Sequence, residues 1–178
     1  MTVANLAYGG LLVAMVAVFC VMAFRIVPRI DEAAGGRTLF DRRLGGYDFD
    51  EAKALLNALT PEAVKTYLKM ATQWDMIFPL LYGAAICLAI QGATPETFPI
   101  SPVVMALTGV PAVVCDLREN TLVAAMLMGG PERLTPDLAA RASFWTRWKW
   151  RLLGVAMGVL LLMLLIRFVW PAEPGAAS

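Results

Sequence analysis

"PVVMALTGVPAVVCDLRENTLVAAMLMG", residues 102–129, sets an aspartate, an arginine, a glutamate and an asparagine inside an otherwise apolar run. Whether those residues lie within a membrane helix or beyond its end decides the architecture. If the span were the overlapping "ETFPISPVVMALTGVPAVVC", the charges would begin where the helix leaves the bilayer. Ser101 and Pro102 argue otherwise, because a hydroxyl cap followed by proline at the first helical position marks a helix start. From Pro102 to Cys115 there are 14 residues, about 21 Å of helix, whereas a hydrocarbon core about 30 Å thick needs roughly 20 residues. The helix therefore continues through Asp116, and "TLVAAMLMGG" supplies apolar material for it. Asp116 then lies in the cytoplasmic third of the crossing.

The rest of the chain fits that reading. Of its 178 residues 59% are hydrophobic and 16% charged, against about 25% charged in an ordinary soluble domain. The expected fold is all-α, a four-helix transmembrane bundle forming a single membrane domain over residues 1–178, with spans at 4–26, 74–92, 102–129 and 146–169. The first run, Ala4 to Phe24, is 21 uncharged residues. Its basic residues, Arg25 and Arg29, follow it, the reverse of a signal peptide's layout, so it reads as a permanent span. Cys20, Cys87 and Cys115 all fall in apolar runs and read as small packing residues rather than a disulfide framework. The chain has no histidine, which removes the usual general base near neutral pH and the commonest metal ligand. No metal site is expected, and no cofactor is identified.

Basic residues set the expected orientation. Between spans one and two lie Arg25, Arg29, Arg37, Arg42, Arg43, Lys53, Lys65 and Lys69. Entering span four are Arg133, Arg141, Arg147, Lys149 and Arg151. The connection "GATPETFPIS" between spans two and three has none. By the positive-inside rule the protein is expected in the cytoplasmic (inner) membrane, with both basic segments cytoplasmic and both termini outward, on the periplasmic side. Trp145, Trp148 and Trp150 fit an aromatic belt at the cytoplasmic interface, and Trp170 marks the far one. Topology thus accounts for the basic residues, and a nucleic-acid partner is not supported.

The first cytoplasmic segment carries helix signals over about 48–72. Asp48 followed by Glu51 has capping-box spacing, with Leu55, Leu56 and Leu59 as an apolar stripe. Thr60 caps a second helix with Pro61 at its first position, and Val64, Tyr67, Leu68 and Ala71 line one face. Together they predict a cytoplasmic amphipathic hairpin lying on the headgroups, its second helix running into span two and bent by Pro79. "PRIDEAAGGRTLFDRRLGG", before it, reads as a loop with little regular structure.

Asp116, Glu119 and Asn120 stand at i, i+3 and i+4 and share one helical face. An aspartate at membrane depth costs about 2.5 to 3.5 kcal/mol on insertion scales, so that face must look into the bundle. Arg118, about 200° away from Asp116, points elsewhere. Pro111 is expected to free a carbonyl near Leu107. Asp75 and Tyr82, one heptad apart on span two, and Arg151 on span four fall near the same level. The predicted intramembrane polar cluster is therefore Asp75, Tyr82, Asp116, Glu119, Asn120 and Arg151.

"GGYDFDEAK", "DMIFPLLYG" and "DLREN", in that order, resemble an uncharacterised family of small bacterial four-span integral membrane proteins. The resemblance covers about half the chain. It implies the four-span layout and groups Asp75, Tyr82, Asp116, Glu119 and Asn120 as one feature, and it brings no activity with it.

Three function classes suit these residues. The first is a non-catalytic binding or assembly component that holds a lipid, a hydrophobic cofactor or a partner membrane protein. Gly9 and Gly10, Gly154 and Gly158, and ten methionines offer close-packing or adaptable surfaces for it. The second is a lipid-modifying enzyme using Asp116 and Glu119 as a carboxylate pair. The third is a small transporter, which with four spans and no inverted repeat would need a homo-oligomer. The binding reading asks least of the sequence, and it competes with a plain structural role in which the cluster only holds helices together.

Overall fold

The computed structural model describes residues 3–169, and every regular element among them is helical. In chain order these are α1 (Val3–Ala33), α2 (Phe49–Ala58), α3 (Pro61–Ala93), α4 (102–133) and α5 (Pro136–Val169). Three of them, α1, α3 and α5, are long and apolar enough to cross a membrane. Trp170 lies outside the described residues.

Proline shapes the long helices. A proline lacks the N–H that would bond four residues back, so the preceding turn must adapt. In α1 a widened π-type turn, Met22–Ile26, comes just before Pro28, and in α3 a similar turn, Met70–Trp74, comes before Pro79. In α4 the α-helical stretches Pro102–Ala106 and Val110–Arg133 are joined by a tight 3-10 turn, Leu107–Gly109. That turn corrects one expectation: the Leu107 carbonyl is not left free by Pro111, because it accepts the Val110 N–H. Near the end of α4, Gly130 takes φ 66° and ψ −177°, a conformation essentially reserved for glycine. There the chain breaks direction before α5.

The helix-start signals at Asp48 and Thr60 hold in detail, whereas at the start of α4 Pro102 takes the first helical position but the Ser101 hydroxyl makes no cap bond. Asp48 accepts the Glu51 N–H at 2.8 Å and Glu51 accepts the Asp48 N–H at 3.0 Å, a reciprocal capping box. Thr60 accepts the Ala63 N–H at 3.2 Å with Pro61 beside it, and α3 runs on without a break to Ala93. What differs is what these helices cover. Leu55, Leu56, Leu59, Tyr67 and Ala71 are buried in one protein core with Ile30 of α1, Val123 and Met126 of α4, and Ala139 and Ala142 of α5. The apolar stripes are thus satisfied within the chain rather than by headgroups.

The segment read as an irregular loop is a further correction. α1 continues to Ala33, a 3-10 turn forms at Phe40–Arg42, and Leu39 and Phe40 are wholly buried in the same core. Gly46 (φ 80°) and the N–H of Tyr47, 2.8 Å from Ser143 Oγ, then press this segment onto α5. A Cβ at Gly46 would stand 2.5 Å from Ser143 Oγ.

Away from this core the surface is apolar. No residue of Val3–Val21 is buried, and Phe19, Leu80, Val155, Leu161 and Leu165 are all exposed. Contiguous apolar surface on this scale calls for a membrane rather than water. α4 packs chiefly against α5, and α3 touches α1, α4 and α5. α3 and α4 approach closely at Gly83, where a Cβ would run into Val113 Cγ2. A Cβ added at Gly9, Gly10, Gly154 or Gly158 would meet nothing within 4 Å, so these glycines do not pack helices inside the chain.

Candidate functional site

The site begins with a carbonyl. Pro79 cannot bond the main-chain oxygen four residues earlier, which belongs to Asp75. Asn120 of α4 supplies the missing donor, its Nδ2 lying 2.5 Å from the Asp75 carbonyl oxygen. A second donor–acceptor distance, 3.3 Å, links the same Nδ2 to Asp116 Oδ1. The stripe expected on α4 is real: Asp116, Glu119 and Asn120 are buried while Arg118 is exposed. From α3, Tyr82 donates its hydroxyl to Asp116 Oδ2 at 2.9 Å.

The cation answering this stripe is Lys149, and Arg151 is a correction. Lys149 Nζ lies 2.5 Å from Glu119 Oε2 and 3.6 Å from Asp116 Oδ1. Arg151 is exposed, with its guanidinium 5.6 Å from the Trp148 ring centre. The reason is helical phase: two residues amount to about 200°, so both side chains cannot face the bundle. A signal was present in the sequence. Ala142, Lys149, Ala156 and Met163 recur every seventh residue, and all are buried, so the small residues mark the inward face of α5.

Thr146, also missed, stands 2.7 Å from Glu119 Oε1 and 3.1 Å from the Ala142 carbonyl. Glu119 is thereby held between a hydroxyl and an ammonium with none of its surface exposed. Tyr47 is buried close by, and burial, with the Glu119 charge adding to it, pushes its phenol well above the ordinary range.

A further missed contributor is Asp41, from the segment read as an irregular loop. Its carbonyl oxygen accepts from Lys149 Nζ at 3.3 Å and from Trp150 Nε1 at 3.0 Å. Its carboxylate accepts from Tyr67 at 3.1 Å, and the same phenol oxygen accepts the Phe40 N–H at 3.0 Å. Trp150, expected in an interfacial belt, is therefore a clasp between this segment and α5.

Beside the cluster is a cleft of about 510 Å³ between α1, α3 and α5. Asp75, Asp116, Lys149 and Tyr82 border its polar end, and Phe19, Phe78, Ile86 and Leu153 form apolar wall. The charges do not balance there: Asp41, Asp75 and Asp116 border the cleft beside Arg42 and Lys149, and Lys149 is also claimed by the buried Glu119 behind it. The Asp75 carboxyl makes no hydrogen bond or ion pair with the described residues, although Asp75 is only 8% exposed. Among the described residues no three acidic or sulfur side chains converge as metal ligands would. Chemically the arrangement can hold a polar group in an otherwise greasy slot.

No family model, no curated protein and no solved structure matches the chain.

Proposed function

We propose that this is an integral membrane protein that acts by binding: it holds the polar end of a lipid or another amphiphilic cofactor against the cluster, with the apolar part along α1, α3 and α5. The observation that carries the reading is the cleft of about 510 Å³, acidic at one end and apolar along its walls. Binding sites for small amphiphiles are mostly apolar with a few placed polar groups, as here. The same reading makes α4 a membrane span too, the third of four in chain order. Its outward residues Val103, Val104, Leu107, Val110 and Val114 are apolar, which supports that placement. The basic segments then face the cytoplasm of a bacterial cell and both ends face outward. The resemblance of "GGYDFDEAK", "DMIFPLLYG" and "DLREN" to small bacterial four-span proteins points the same way.

Catalysis by Asp116 and Glu119 has less support. Glu119 is enclosed by Lys149 and Thr146 and does not border the cleft. A partner-helix role has no comparable pocket to argue from.

The test is a native mass spectrum of the protein released gently from its own membrane. A defined small mass should stay with the wild type and be lost from Leu153→Trp, which fills the cleft. Retention of no small molecule, with mass only at multiples of 19.3 kDa, would overturn the reading. Accessibility of single cysteines at Asp50 and Thr97 to a membrane-impermeant reagent checks orientation: Thr97→Cys should react in intact cells and Asp50→Cys only after lysis.

A further inference from the structure

Resting on the binding reading, we infer that the occupant of the cleft is a lipid whose headgroup carries a primary ammonium, held by Asp75. Every other charged group at the polar end already has a partner. Lys149 is paired with Glu119 and Asp116, and Asp116 also receives the Tyr82 hydroxyl. The Asp41 carboxylate receives the Tyr67 hydroxyl, and Arg42, at the rim, pairs with Asp31 at 2.9 Å. Asp75 alone is left, buried at 8% exposure and bordering the cleft with no donor on its carboxylate.

A buried carboxyl that lacks a partner is costly, and the cost is relieved when a donor with positive charge arrives. The surplus of acid over base at this end disfavours a headgroup of net negative charge and draws an ammonium to Asp75, while Arg42 at the rim can face the phosphodiester beside that ammonium. N–H donors are needed to bond the carboxylate, and a quaternary ammonium has none. Phe78 and Tyr82, 5.5 Å apart edge to face, offer ring surface to the same cation. The apolar wall of Phe19, Ile86 and Leu153 selects a lipid over a free amine such as a polyamine.

The experiment titrates the detergent-solubilised full chain with dihexanoyl phosphatidylethanolamine, phosphatidylcholine and phosphatidylglycerol. Binding is read by tryptophan emission and by native mass. Spermidine serves as the free-amine control. The ethanolamine lipid should bind at least about tenfold more tightly than the other two lipids, the scale of one charge-assisted hydrogen bond. Asp75→Asn should lose at least that factor for the ethanolamine lipid while changing the glycerol lipid little. Spermidine should not compete.

Equal or tighter binding of phosphatidylglycerol or phosphatidylcholine, unchanged affinity in Asp75→Asn, or displacement by spermidine would overturn the inference. If Asp75→Asn does not accumulate, the headgroup ranking of the wild type decides. A preference for phosphatidylcholine or phosphatidylglycerol that is abolished by Leu153→Trp would sink the ammonium assignment alone. Absence of any bound amphiphile would sink the binding reading with it.

Discussion

Replacing Lys149 by methionine keeps the length of the side chain and removes its charge. In the folded chain that ammonium lies 2.5 Å from Glu119 and 3.6 Å from Asp116. At an effective dielectric constant of about 20 these separations correspond to roughly 7 and 5 kcal/mol of attraction. Most of it offsets the cost of taking the charges out of water. What the substitution exposes is the remainder: breaking a buried pair by deleting one partner costs about 3 to 5 kcal/mol, because the other charge stays buried and uncompensated.

Glu119→Gln should cost less than Lys149→Met, since Lys149 keeps Asp116. The double variant should recover part of the loss, since the Glu119 charge leaves with its partner while Asp116 stays buried without an ammonium. The assay is reversible unfolding in mixed micelles followed by tryptophan emission. If Lys149→Met lies within about 1 kcal/mol of the wild type, the range of an exposed pair such as Arg42–Asp31, the cluster does not hold α4 to α5. If the double variant is no better than Lys149→Met, the charge left behind was not the cause.

Gly83→Ala drives a methyl into Val113 Cγ2 and should destabilise by about 1 to 3 kcal/mol through overpacking; Val113→Ala added to it should restore part of that loss in the same unfolding assay. Tyr82→Phe removes the hydroxyl bonded to Asp116 and should cost about 0.6 kcal/mol, and at most ~2, without loss of membrane accumulation. Arg151→Gln should stay within about 0.5 kcal/mol of wild type, as an exposed substitution away from the cluster.

Helices were legible in this sequence wherever a local rule governs them. The Asp48–Glu51 box, the Thr60–Pro61 start and the i, i+3, i+4 stripe of Asp116, Glu119 and Asn120 each depend on neighbours within a turn, and each appears as read. What failed was long-range. Nothing near Asp41 announces that its carbonyl will meet Lys149 and Trp150, which are 108 and 109 residues further along. Leu39 and Phe40 were hidden because glycines and charges on either side outweigh two apolar residues in any composition window. Arg151 was preferred to Lys149 by level along the helix when phase was the deciding variable, and Ala142 and Ala156 carried the phase. The pairing of Asn120 with the Asp75 carbonyl was half visible: Pro79 predicts which oxygen goes unpaired, but not which side chain will reach it.

The clasp of Asp41 onto Lys149 and Trp150 bears on how the chain matures as it is made. Residues 39–47 leave the ribosome long before α5 exists, so the segment can meet Tyr67 of α3 early but must wait for Ser143, Lys149 and Trp150 of α5. Its closure onto α5 comes only after three further helices, α2 to α4, have been made. A chain cut short before Ser143 would keep α1 to α4 yet leave that segment unsealed.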